Sequence, residues 1–174
     1  MYTIGHGTLP AGAFIELLRA PGVELLRDVR SVPKSRHNPQ FAIEAIGTWL
    51  PTSGISYEWQ RQLGGWRRPL PDSINLALRN AAFRGYADYM QTPLFAEALD
   101  ELIAAGRDRG TAIMCSESVW WRCHRRLIAD ALTARAIEVH HLMHDGRITP
   151  HILTDGAAIA NRTVTYPQGS PRLF

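Results

Sequence analysis

Residues 115–125 read Cys-Ser-Glu-Ser-Val-Trp-Trp-Arg-Cys-His-Arg, gathering two thiols, a carboxylate, an imidazole and two guanidinium groups in one short stretch. Several chemistries need such a set. A thiol beside arginines or a helix N-terminus ionises readily, which makes Cys115 a candidate nucleophile. Glu117 could act as general acid or base, and His124 could share that work. Cys115, Cys123 and His124 are also ligand types for zinc or iron. Arg122 and Arg125 could grip a phosphate or carboxylate. Plainer alternatives stand beside these. Free cysteine is often only a small buried apolar side chain, and neighbouring Cys123 and His124 would point about 100° apart if both were helical. A phosphatase-type Cys-x5-Arg cradle fits poorly. Arg122 lies one residue too far, and Ser116–Trp121 contains no glycine for tight wrapping around an anion.

More chemistry-bearing residues lie elsewhere. His6 follows the first apolar run, and Asp28 and Arg30 share a face if the chain between them is extended. That pair is either a structural ion pair or a carboxylate orienting a guanidinium onto an anion. Lys34, Arg36 and His37 extend the positive rim. Tyr57, Trp59, Trp66, Trp120 and Trp121 accompany Arg61, Arg67, Arg68 and Arg122, a mixture suited to stacking on bases and contacting phosphates. The alternative makes Trp49, Trp59 and one of Trp120 and Trp121 core, leaving Trp66 on its Gly/Pro-rich loop. His140 and His141 alternate across a strand, so at most one faces a given side.

The elements that must position these groups alternate strand and helix, which points to a mainly parallel sheet covered on both faces. Strands are expected at Tyr2–Gly5, Val23–Val29, Ile55–Trp59, Thr111–Cys115 and Ile137–Leu142. Helices are expected from Pro10 to Arg19 with Thr8 as N-cap, and from Asn38-Pro39 to Gly54. Others run around Gly85–Met90, over Pro93–Ala105 with Thr92 as cap, and over Trp120–Ala134. Residues 60–82, with Gly64-Gly65, Pro69 and Pro71, read as a long excursion. The expected whole is one three-layer α/β domain over 1–154, Rossmann-like, with about five strands. Residues 155–174 read as an irregular tail. In such sheets ligands bind outside the carboxyl ends of the strands, where His6, Asp28, Arg30 and Cys115 fall.

The segment Met114–Arg125 joins Thr3-Ile4-Gly5-His6-Gly7, Asp28–Ser35, Leu63-Gly64-Gly65 and Gly85–Met90 in an ordered set of motifs. Over roughly residues 2–145 this pattern resembles the bacterial domain of unknown function 488. The resemblance implies a small stand-alone α/β protein and supplies no activity. Within its motifs, Lys34, Ser35 and Tyr86 join Asp28, Arg30, Arg122 and Arg125 as candidate ligand contacts.

The chain has 174 residues and a formal net charge of +3, with basic side chains that are nearly all arginine. An arginine-rich composition suits bidentate recognition of anions, although codon bias also produces it. Positive charge is concentrated in 27–39, 60–72 and 115–126, which suggests an anionic ligand. The opening residues lack the basic and apolar run of a secretory signal, and no stretch approaches a membrane span. With only two cysteines, a reducing, cytoplasmic setting is expected. The leading expectation is an enzyme acting on a nucleotide, nucleic-acid component or other phosphate-bearing ligand, with Cys115, Glu117, His6 and His124 as its chemical groups. One alternative is a non-catalytic nucleic-acid-binding module, whose affinity would fall steeply with salt. The other is a metal-binding or redox-sensing protein using Cys115, Cys123 and His124. No cofactor is required by the sequence, a membrane partner is not expected, and oligomeric state is left open.

Overall fold

The computed structural model describes residues 1–168. Its central sheet has six strands: β1 (Tyr2–Gly5), β2 (Leu25–Asp28), β3 (Ser56–Trp59), β4 (Thr111–Cys115), β5 (His140–Leu142) and β6 (Ile148–Pro150). The spatial order is β3-β2-β4-β1-β5-β6; the first five run parallel and β6 pairs antiparallel with β5. Five helices flank it: α1 (Ala11–Arg19), α2 (Ile43–Thr52), α3 (Ala81–Tyr89), α4 (Pro93–Asp108) and α5 (Arg125–Ala134).

The layering follows from side-chain alternation along buried strands. On β4, Ala112 and Met114 join Phe14, Leu18, Ile46 and Leu50 of α1 and α2, whereas Ile113 and Cys115 join the cluster of α3, α4 and α5. This three-layer, Rossmann-like arrangement agrees with the expected class, with the antiparallel β6 as an added strand. The connection after β1 leads to α1 on one face, and that after adjacent β4 leads to α5 on the other. Their loops therefore diverge and leave a crevice above the carboxyl ends of β1 and β4.

Several local expectations change. Thr8 does not cap α1; Pro10 occupies the cap position with extended backbone and no side-chain cap bond. Asn38-Pro39 opens only a single 3₁₀ turn, Pro39–Phe41, because Ala42 is extended and the helix starts at Ile43. Helix α3 begins at Ala81, where Asn80 accepts hydrogen bonds from the amides of Ala82 and Phe83. The helix expected from Trp120 is broken, since Cys123 has φ −128° and ψ 151° between a 3₁₀ turn and α5. The tail from Asp155 is not irregular throughout: β7 (Ala158–Ala160) and β8 (Thr163–Thr165) form a hairpin. Its turn places Asn161 and Arg162 at φ 49° and 63°, the geometry of a tight hairpin turn, but arginine gives no sequence warning of it. Gly169-Ser170-Pro171 of the expected tail lie outside the described residues. No helix among the described residues is long and apolar enough to cross a membrane.

Candidate functional site

Above the ends of β1, β2 and β4 lies a cavity of about 390 Å³, within the range of small-molecule sites. Its lining contains His6, Arg30, Lys34, Ser35, Cys115, Glu117, Arg122, Cys123 and His124. Nine sequence-derived candidates thus converge from segments far apart in the chain. Three cations face one carboxylate across this space.

One wall is built on Asp28, which is fully buried at the end of β2. Its Oδ1 accepts from the amide and Nε of Arg30 at 3.0 and 2.9 Å, and the hydroxyl of Tyr57 donates to Oδ2 at 2.7 Å. Burial and the neighbouring Asp28 carboxylate push the Tyr57 hydroxyl well above its ordinary pKa. Arg30 therefore spends Nε and Nη2 on Asp28, while Nη1 reaches His6 Nε2 at 3.3 Å. His6 Nδ1 donates to the Gly7 carbonyl at 2.8 Å, which leaves Nε2 to accept from Arg30. Its ring stacks on Phe41, with centroids 4.3 Å apart. Burial lowers the His6 pKa to about 4, so at neutral pH this imidazole is uncharged and holds the arginine. Asp28, expected as a ligand contact, instead holds Arg30 and is not among the cavity's lining residues. Lys34 and Ser35 come from the following loop, and Ser35 Oγ accepts from the Asn38 amide.

The floor is sulfur and imidazole. His124 Nε2 donates to the Val29 carbonyl at 3.0 Å, so Nδ1 is the ring nitrogen left to face the thiols. It lies 3.5 Å from Cys123 Sγ and 3.9 Å from Cys115 Sγ. All three ligand atoms fall within 4.8 Å of one another, and both cysteines are free. The anticipated divergence of Cys123 and His124 does not occur. Extended Cys123 and the first cap residue of α5 turn their side chains toward one point. The sulfurs differ. A hydrogen bond to Cys123, then burial, pushes the Cys115 thiol well up. Burial also works against ionisation of Cys123, but the Cys115 hydrogen bond and His124 outweigh it and hold that pKa well down. Of the two sulfurs, the surroundings favour ionisation at Cys123 and oppose it at Cys115.

The roof is the loop after β4. Glu117 is exposed to the cavity, and its backbone carbonyl accepts from Arg125 Nη2. Arg125 also approaches Thr3 Oγ1 at 3.4 Å and is fully buried, so it fixes this loop rather than reaching the cavity. Tyr86 is not a lining residue either. Its hydroxyl donates to the Leu63 carbonyl and its ring packs edge-on against His124, with centroids 5.1 Å apart. Gly65 also packs against that imidazole, where a Cβ would lie 2.5 Å from Nδ1. Gly65→Ala is expected to displace His124 and destabilise the fold by about 1–3 kcal/mol, as overpacking does. Urea unfolding checks this, and an unchanged midpoint would contradict the close approach.

Sequence reasoning missed a buried chain behind the roof. The Thr3 hydroxyl donates to His141 Nδ1, His141 Nε2 to His151 Nδ1, and His151 Nε2 to Asp130 at 2.7, 3.0 and 2.8 Å. Asp130 forces this order, because a carboxylate can only accept. Tyr166 and the Thr154 amide complete its coordination. Trp120 stacks on His141 with centroids 4.0 Å apart, anchoring the stretch between Glu117 and Cys123. No local pattern marks Asp130, His151 or Tyr166, whose spacing reflects tertiary contact alone. Trp66, 78% exposed, and Phe83 also line the cavity, and the Trp59 indole donates to the Arg30 carbonyl.

Parallel strands with diverging loops, and a strand-end cavity lined by charged, thiol and imidazole side chains, define the chain as a Rossmann-like α/β protein. Compared with known families, residues 10–132 match the domain of unknown function DUF488, and the chain belongs to that family. The matched segment includes every lining group named above except His6. Among curated proteins and solved structures, nothing matches.

Proposed function

We propose that the protein is an enzyme acting on a small phosphate-bearing ligand of about nucleotide size. Arg30, Lys34 and Arg122 hold the anion, the Cys115–Cys123–His124 cluster is the reaction centre, and Glu117 moves a proton at the cavity mouth. The observation that carries this reading is the Asp28-anchored Arg30, which lines the same cavity as that cluster. A guanidinium held in advance loses little freedom on binding an anion, which is what preorganised recognition requires. Trp66 and Phe83 offer apolar faces for a ring beside the anion.

Calorimetry with inorganic phosphate and a nucleoside monophosphate tests the binding. Arg122 and Lys34 are exposed, so Arg122→Gln and Lys34→Gln should leave the fold intact while each weakens affinity about tenfold, as loss of a charge-assisted contact does. Glu117→Gln is expected to keep the ligand bound while slowing turnover about a hundredfold or more. Absence of saturable anion binding, or wild-type affinity in both cation variants, would overturn the reading. The exposure of Trp66 at an arginine-bearing rim favours a second reading, a single-stranded nucleic acid lying across the mouth. That reading requires affinity falling steeply with salt and a marked loss in Trp66→Ala.

A further inference from the structure

We propose that Cys115 Sγ, Cys123 Sγ and His124 Nδ1 bind a single soft divalent cation of the zinc class, with the fourth coordination position open to the cavity. The inference deepens the enzyme reading by naming the cofactor of its reaction centre. It rests on that reading only for what occupies the open position.

The separations are those of a tetrahedron. Zinc bonds of about 2.3 Å to sulfur and 2.0–2.1 Å to nitrogen, at tetrahedral angles, require S···N edges of roughly 3.5 Å and an S···S edge of roughly 3.8 Å. The S···N separations here are 3.5 and 3.9 Å, and every ligand atom lies within 4.8 Å of the others. Small side-chain rotations close the remaining gap.

The imidazole is prepared for this role. A metal-bound histidine characteristically donates its second ring N–H to a carbonyl or carboxylate. His124 Nε2 does so to Val29, leaving the Nδ1 lone pair toward the sulfurs. Tyr86 and Gly65 both pack against the ring. Cys115 is fixed by β4, whose end is bonded to β1 through the His6 amide. Cys123 is held by the extended residue that interrupts the helix. All three ligands are buried, at 7%, 3% and 9% exposure, but they line the cavity.

Donor chemistry selects the ion. Two thiolates and a neutral imidazole balance a charge of +2 and favour zinc over magnesium or calcium, which require oxygen ligands. Three protein ligands with an open fourth position is the pattern of catalytic rather than structural zinc. Arg30, Lys34, Arg122 and Glu117, to which the enzyme reading assigns the anion and the proton, line the same cavity as the three ligands.

The test uses the full chain purified under reducing conditions without a metal-affinity step. Elemental analysis is expected to find about one zinc per chain, and cobalt substitution to produce a thiolate-to-metal charge-transfer band. Cys123→Ser and Cys115→Ser should each weaken zinc by at least about a hundredfold, beyond the loss that outer-sphere changes cause. Zinc should also raise the unfolding temperature of the wild type but not of Cys123→Ser, checked by circular dichroism to be folded. Wild-type protein that binds neither zinc nor cobalt stoichiometrically overturns the proposal, as does zinc binding unchanged in both serine variants. Phosphate titration of chelator-treated protein separates the two readings: retained anion binding without metal binding removes only the metal, and the reverse removes only the anion site.

Discussion

Asp28→Ala is expected to destabilise the protein by about 3–5 kcal/mol, the usual consequence of removing one partner from a buried ion pair. Asp28 has no exposed surface and Arg30 has only 5%, so water cannot replace the lost carboxylate. Arg30 would lose partners for its amide, Nε and Nη2, and the Tyr57 hydroxyl would lose its acceptor. Each orphaned group adds to the cost because buried donors are expensive to leave unmade. Urea unfolding of wild type and variant measures the effect, and a difference below about 1 kcal/mol would contradict this account. The double variant Asp28→Leu, Arg30→Met should regain part of the loss, since it removes both charges together. It should not regain phosphate affinity, which depends on the guanidinium. Stability and function are thereby separated at one site.

Acid is expected to weaken the fold well before ordinary carboxylates titrate. Burial, reinforced by His151, lowers the His141 pKa to about 3, and burial lowers His6 to about 4. Both groups take up protons more readily when unfolded, near pH 6.5. Their stabilisation is therefore complete above pH 6.5 and is lost as pH falls toward the folded values. Each contributes a slope of about 1.4 kcal/mol per pH unit in that window, so the pair removes roughly 5 kcal/mol between pH 6.5 and 4.5. That approaches the whole stability of many domains. For His141 the structural reason is plain. Its Nδ1 accepts from Thr3, and a proton there would confront a hydroxyl already approached by Arg125. Urea midpoints measured from pH 7 to 4.5 provide the check. A flat profile would refute the neutral chain, and His141→Gln should reduce the slope by one histidine's share.

Much of the frame was legible because buried strands and amphipathic helices obey local periodicity. Thr111–Cys115 is bounded in the structure as its apolar run suggests, and Thr92 caps α4 through the Phe95 amide. The errors arose where a single residue's backbone departs from the periodic pattern. Extended Ala42 delays α2, extended Cys123 breaks the expected helix, and positive φ at Asn161 and Arg162 closes an unanticipated hairpin. Tyr86 and Arg125 were legible as residues near the site but not as buried supports. Motif position does not reveal which way a side chain turns.

Sequence alone determined the alternation of strands and helices, and with it the set of reactive residues at the strand ends. Those follow from hydrogen bonding and apolar spacing within segments of ten or so residues. Only the tertiary structure decided that the two thiols sit in unlike surroundings, with ionisation favoured at Cys123 and opposed at Cys115, that His124 presents Nδ1 to both sulfurs, and that Thr3 is linked through His141 and His151 to Asp130. These depend on burial and on hydrogen bonds between residues up to 138 positions apart, as between Thr3 and His141. Local periodicity carries no information at that range, because such contacts form only when separate elements pack.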